Sequence, residues 1–160
     1  MTWLRSIWII LAAFLGSAAT VTIVALILGP TDGGSTTLGW LILISEAAAL
    51  SMVLLAIQSR WFTTPPTSVP GAVMTGVFLR LAIAELVFMT TFVLLYTDLG
   101  TTGPMLVVAL LVSIVLVWVF AAPTRSRVES LQSQMERLGG LYDVAAELAA
   151  PRPARERPRR

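Results

Sequence analysis

Residues 38–57 read LGWLILISEAAALSMVLLAI, and this stretch decides the fold class of the chain. Nearly all of its residues are apolar, and it contains a single charged side chain, Glu46. A helix of about 20 apolar residues is long enough to cross the hydrocarbon core of a bilayer, which is about 30 Å thick. We therefore interpret residues 38–57 as a transmembrane helix that carries one carboxyl group.

Three further apolar stretches of similar length lie at residues 7–28, 72–96 and 104–120. The chain has 160 residues, of which 56% are hydrophobic and 12% are charged, whereas soluble domains carry about 25% charged residues. Arg5 and the apolar run after it are also typical of a signal peptide, but the run continues past the usual limit of about 15 residues. The sequence predicts an all-α membrane protein with four spans, the first of them uncleaved.

The arginines predict how the spans are oriented. They lie beside the spans at Arg5, Arg60, Arg125 and Arg127. The two remaining loops contain Asp32 and Asp98 and no basic residue. Because arginines stay on the cytoplasmic side, we expect both termini and the central linker to be cytoplasmic. All 11 basic residues are arginine, a bias that favours a GC-rich bacterial genome and hence a bacterial cytoplasmic membrane.

Glu46 and Glu85 are the two carboxyl groups within the predicted spans. A charge inside the bilayer is costly and marks a functional site by default, so we expect these residues to take part in proton or cation coupling. Helical rise places them about 6 Å apart in depth on adjacent antiparallel helices, where they could face one shared cavity. Two alternatives stay open. The carboxyl groups hold helices together through Ser45, Ser51, Thr90 or Thr91, or a partner subunit docks on them.

Arg80 lies in the third span, close to the predicted cytoplasmic interface. Because helical side chains point toward the helix N-terminus, its guanidinium can snorkel to that interface. We expect it to contact lipid or to pair with a charge on another helix. Small residues that favour close helix packing are found in the first two spans: Ala12, Gly16, Thr20, Ser45 and Ser51.

The chain after Pro123 is polar and carries an apolar stripe with a spacing of three and four residues. The stripe comprises Val128, Leu131, Met135, Leu138 and Tyr142. This spacing indicates an amphipathic helix that docks on the membrane or on a partner, with a solvated continuation of the fourth helix as the alternative. The domain prediction is a four-helix membrane domain at 1–123, this helix at 124–150, and a disordered tail at 151–160.

The tail from residue 151 onward is rich in proline and arginine. Its basic residues are Arg152, Arg155, Arg157, Arg159 and Arg160. Arginines near a membrane attract anionic headgroups with about 1 kcal/mol each, so we expect this tail to bind anionic lipids. A topology signal is the alternative. No aromatic side chain lies between the arginines, and we expect no nucleic-acid binding.

The sequence contains no cysteine and no histidine. It also lacks a phosphate-binding loop, a dinucleotide fingerprint and a nucleophile elbow, so we expect no enzyme activity, cofactor or metal. The leading hypothesis is a small membrane subunit of a larger complex. The alternatives are a homo-oligomeric channel or transporter and a scaffold or assembly factor that acts through its tail.

Overall fold

The structure is a computed structural model that describes residues 2–28, 36–58, 68–97, 102–137 and 143–151. Its helices are α1 (Trp3–Leu28), α2 (Thr36–Gln58), α3 (Val69–Leu94), α4 (Gly103–Leu116), α5 (Arg125–Arg137) and α6 (Val144–Ala149). A π-helical segment (Val117–Ala121) continues α4 directly. Within these ranges, the chain is helical apart from short turns and one isolated bridge.

Four of the helices are long and apolar enough to cross a membrane. They are α1, α2, α3 and the continuous run of α4 with the π-helical segment. The prediction of an all-α fold with four such helices is confirmed for the described residues. The third helix begins at Val69, earlier than predicted, because Ser68 caps it and Pro70 occupies its first turn. Proline is tolerated there, since the first turn has no intrahelical partner for its N–H.

α3 is the central helix of the bundle. It packs against α1, α2, α4 and α6. Its buried side chains recur at helical spacing and are mostly apolar, as at Val73, Val77, Ala84 and Phe88. The same buried set includes Arg80, Glu85 and Thr91. The helix with the most neighbours is thus also the one that carries buried polar groups.

α2 lies at the edge of the bundle. In its most apolar stretch 11% of the residues are buried, against 44% in α3 and in α4. Its buried side chains include Leu43 and Leu54. Most of α2 therefore faces away from the other helices of the bundle.

Proline accounts for the way the fourth spanning helix ends. Pro123 has no N–H and cannot donate to the carbonyl of Val119, four residues earlier. The helix widens into π geometry, in which the Ala122 N–H donates to the Val117 oxygen at 2.9 Å. The Arg127 guanidinium donates to the Val119 carbonyl in place of the missing N–H. Burial lowers the pKa of Arg127, but an arginine remains charged in proteins.

α5 and α6 fold back onto the bundle. Leu131 and Met135 of α5 and Val144 and Leu148 of α6 belong to the same buried apolar cluster as Ile7 of α1. The start of α6 is held by two side chains. Gln132 accepts a hydrogen bond from the Val144 N–H at 2.8 Å, and Asp143 accepts one from the Ala146 N–H at 3.0 Å.

This packing differs from the expected docking stripe. Leu131 and Met135 are 1% and 0% exposed, and Val128 is partly buried against the cluster. α6 contacts α1 and α3, and α5 packs on α6. The apolar stripe of α5 is therefore an internal interface. Leu138 and Tyr142 lie outside the described residues.

The two ends of the described chain meet. Thr2 forms an isolated bridge with Pro151. We call this end of the bundle, where α1 and α3 begin and α2 ends, the tail end. Four spans return the chain to the side on which it started, and the bridge agrees with that count.

Candidate membrane-embedded polar site

Glu85 is the most isolated polar group in the spanning helices. Its side chain is 4% exposed. Among the described residues, neither carboxyl oxygen has a hydrogen-bond partner. Its buried neighbours one turn away on α3, Leu81 and Phe88, are apolar. A polar group buried without a partner is costly, and no described residue offsets that cost for Glu85.

Ser113 is a buried donor of α4 whose hydrogen bond ends on the backbone of α3. This buried serine of α4 donates its hydroxyl to the Ala84 carbonyl at 2.9 Å. Ala84 precedes Glu85 directly in α3, and the hydroxyl bonds to its backbone. The bond joins α4 to α3 and leaves the Glu85 carboxyl unsatisfied.

Glu46 has a defined partner. The Thr90 hydroxyl donates to the Glu46 Oε1 atom at 2.7 Å and links α2 to α3. The second oxygen, Oε2, is buried and has no partner among the described residues. Thr90 was one of four expected partners. Ser51 instead donates to the Ala47 carbonyl of its own helix, as does Thr91 to Val87.

Glu46 of α2 contacts a face of α3 that differs from the face carrying Glu85. Thr90 follows Glu85 by five residues, which corresponds to a rotation of about 140° and a rise of about 7.5 Å. Glu46 meets α3 at Thr90, on the side that faces α2. This geometry argues against one cavity shared by both carboxyl groups.

Arg80 is buried inside the bundle rather than exposed to lipid. Its side chain is 2% exposed. One guanidinium nitrogen donates to the Gly76 carbonyl at 3.0 Å, and the other terminal nitrogen donates to the Ile57 carbonyl at 2.8 Å. The side chain does point toward the tail end, as expected for α3, but it ends on the backbone of α2.

The bond to Ile57 gives Arg80 a structural role. Ile57 lies in the last turn of α2, where the final carbonyls have no partner within the helix. A cation is favoured at this end because the helix dipole is negative there. Arg80 therefore caps α2 in the same manner that Arg127 caps the fourth spanning helix.

The small residues of α1 lie on its outer surface. Ala12, Gly16 and Thr20 are exposed, and a Cβ atom added at Gly16 would meet nothing within 4 Å. On α2, Ser45 is exposed and Ser51 is half-buried. The chain's own helices therefore do not use the row on α1 for close packing.

The five tail arginines (Arg152, Arg155, Arg157, Arg159 and Arg160) lie outside the described residues. The roles that the sequence does not predict include the cap from Arg127 and the burial of Val144 and Leu148. Their sequence signals are Pro123, which orphans a carbonyl four residues earlier, and Asp143, a residue typical of a helix start. A new apolar pair begins directly after Asp143.

No known protein family matches the chain, and neither does a curated protein or a solved structure. The four apolar helices are compatible with a small multi-pass membrane protein.

Proposed function

We propose that the chain is a small integral subunit of a larger complex in a bacterial cytoplasmic membrane, and that Glu85 takes part in moving a proton or cation. The observation that carries the proposal is the isolation of Glu85. A carboxyl group buried in a span without a partner is a functional site by default. Within a complex, it can bind a proton or cation on one side and release it to the other.

Glu46 has the structural role in this proposal. Its bond to Thr90 joins α2 to α3, and interhelical bonds of this kind are worth about 0.6 kcal/mol on average. In this proposal, Glu85 has the coupling role and Glu46 has the structural role, the two roles that the sequence leaves open. Glu46 also serves as the matched control for Glu85.

The outer surface supports association with other membrane helices. Gly16 with Thr20 on α1 and Ser45 with Ala49 on α2 form rows of small, exposed residues outside the groove described below. Such rows let helix backbones approach closely. The tail end faces the cytoplasm in this proposal, because Arg5, Arg125 and Arg127 lie there.

A homo-oligomeric channel uses the same surfaces and is the alternative outcome of the first experiment. A scaffold function through the α5 stripe is less well supported, because Leu131 and Met135 of that stripe are already buried. The basic segment from Arg152 onward is the part of the tail that remains for a scaffold role.

The experiment has two stages. The tagged chain is purified from native membranes in a mild detergent, and its partners are identified by mass spectrometry. The isolated assembly is then reconstituted into liposomes for measurement of proton and cation flux. We expect stable partner subunits in the first stage.

In the second stage, Glu85→Gln is compared with Glu46→Gln. We expect Glu85→Gln to lower flux by about 10²-fold or more, the usual contribution of a positioned proton-transfer group. Glu46→Gln should leave flux nearly unchanged, because an amide oxygen also accepts from Thr90. Equal flux in the Glu85→Gln assembly and the unmodified assembly would refute the coupling role. A monodisperse monomer without partners would refute the subunit role.

A further inference from the structure

An apolar groove lies between α1 and the last part of the fourth spanning helix. Its volume is about 180 Å³. Leu11, Ala12 and Leu15 line it on α1, and Ile114 and Val117 line the opposite wall. The groove is unrelated to Glu46 and Glu85, and the inference drawn from it does not depend on the proposed function.

The dimensions of the groove suit one hydrocarbon chain. Sites for compact small molecules usually measure about 300–1,000 Å³, so this groove is too small for a ligand of that kind. Its wall on α1 extends from Trp8 to Leu15, a rise of about 10 Å along the helix. A narrow apolar groove parallel to the spanning helices has the direction of the acyl chains around it.

Two tryptophans lie at the tail end of the groove. The rings of Trp8 and Trp118 have centroids 5.7 Å apart, and both residues line the groove. Trp118 is 60% exposed. Tryptophan is enriched at the level of the lipid headgroups, so this end of the groove opens where a headgroup would lie.

On each wall, an exposed arginine lies three residues in sequence from a lining residue at this end of the groove. Arg5 is exposed and precedes Trp8 by three residues, which places it on the same face of α1. Arg125 follows Ala122, the last lining residue, by three residues. Its side chain is 94% exposed, and its ion pair with Glu129 is open to solvent. Exposed pairs of this kind are weak, so Arg125 can turn to another anion.

We propose that the groove binds one acyl chain of an anionic phospholipid whose phosphate pairs with Arg5 and Arg125. A partner helix fits less well. Helix contacts within a bilayer favour small residues, whereas the bulky side chains of Trp8 and Trp118 line this opening. The two arginines select for a negative headgroup. At about 1 kcal/mol for each arginine, the preference over a zwitterionic lipid is about 30-fold.

The test uses tryptophan quenching in vesicles. A variant with Trp3, Trp40 and Trp61 replaced by phenylalanine retains Trp8 and Trp118, and its helicity is checked by circular dichroism. It is reconstituted in phosphatidylcholine that contains increasing fractions of brominated phosphatidylglycerol or brominated phosphatidylcholine. We expect the phosphatidylglycerol to reach half-maximal quenching at about 30-fold lower mole fraction.

Matched substitutions separate the groove from lipid that surrounds any membrane protein. Ala12→Phe fills the groove, whereas Ala13→Phe adds the same volume on another exposed face of α1. Arg5→Gln with Arg125→Gln removes the charges at the opening, whereas Arg137→Gln removes an exposed charge at the far end of α5. We expect the headgroup preference to disappear with the first member of each pair and to persist with the second.

Equal quenching by both brominated lipids in the parent variant would overturn the proposal. So would a preference that survives Ala12→Phe or the double arginine substitution. Native mass spectrometry of the protein with all five tryptophans gives a second readout if the tryptophan variant does not fold. There we expect retained phosphatidylglycerol that is lost with Ala12→Phe, and retention of both lipids alike would also overturn the proposal.

Discussion

At the scale of single residues, the buried arginine and the two glutamates separate into different roles. The sequence indicates that three ionisable groups lie within the spans and that Arg80 points toward the tail end. It does not indicate their partners, because these depend on how each helix is rotated about its axis. A helix turned by one residue would exchange Thr90 for Thr91 as the donor to Glu46. That choice is made by packing across the whole bundle.

The cap from Arg80 predicts a large effect of its removal. Arg80→Met keeps a long side chain but removes the donors to Gly76 and Ile57. Hydrogen bonds from charged groups are worth about 1.5–3 kcal/mol, and we expect the free energy of unfolding to fall by about that amount or more. Unfolding in mixed micelles, followed by circular dichroism, measures it.

Two further substitutions make the test specific. Arg80→Lys should recover only part of the lost stability. Its ammonium group restores the charge but lacks the planar fork that reaches two carbonyls at once. Arg137→Gln, an exposed site, should change stability by no more than about 0.5 kcal/mol. If Arg80→Met were as mild as Arg137→Gln, the capping role would be wrong.

At the scale of elements, proline and arginine together explain the end of the fourth spanning helix. The sequence predicts the stop at Pro123 correctly from the chemistry of proline. The π-helical segment before it is not predicted, because its cause is a carbonyl left without a partner. The charge of Arg127 predicts only a role in topology, and the structure adds a hydrogen bond to the Val119 carbonyl.

This explanation predicts that Pro123 and Arg127 are coupled. In the unmodified chain Arg127→Gln should cost about 1.5–3 kcal/mol, since it orphans the Val119 carbonyl. In the Pro123→Ala background residue 123 regains an N–H that can serve the same carbonyl. The cost of Arg127→Gln should therefore shrink.

A double-mutant cycle of unfolding free energies measures this coupling. Groups that share a partner typically couple by about 0.5–3 kcal/mol. Additive costs, with no coupling between the two positions, would contradict the explanation.

At the scale of the whole molecule, hydropathy and charge predict the four spanning helices well. They do so because crossing a bilayer requires a continuous run of about 20 apolar residues, which is a property of the sequence itself. The positions of α5 and α6 could not be predicted in the same way. An amphipathic stripe shows that one face of a helix is buried, but it does not show whether a membrane, a partner or the chain's own helices bury that face.

The burial of apolar side chains from α5 and α6 predicts that these two helices stabilise the bundle. Deletion after Pro123 removes Leu131, Met135, Val144 and Leu148 from the buried cluster. Single truncations of buried Leu or Met typically cost about 2–5 kcal/mol, so we expect a clear drop in the thermal midpoint. Deletion after Pro151 serves as the control and should leave the midpoint unchanged. Equal thermal midpoints for both deletions would show that α5 and α6 do not stabilise the bundle.

The proposed function requires that Glu85, and not Glu46, exchanges protons or cations within the bilayer. A hydrophobic carbodiimide distinguishes the two residues, because this reagent adds to protonated carboxyl groups in apolar surroundings. The purified assembly is treated, the labelled residues are identified by mass spectrometry, and ion flux is measured on the same samples. We expect Glu85 to be labelled before Glu46, the transported ion to protect it, and flux to fall in proportion to its labelling. Full labelling of Glu85 with undiminished flux would rule out its role in ion movement.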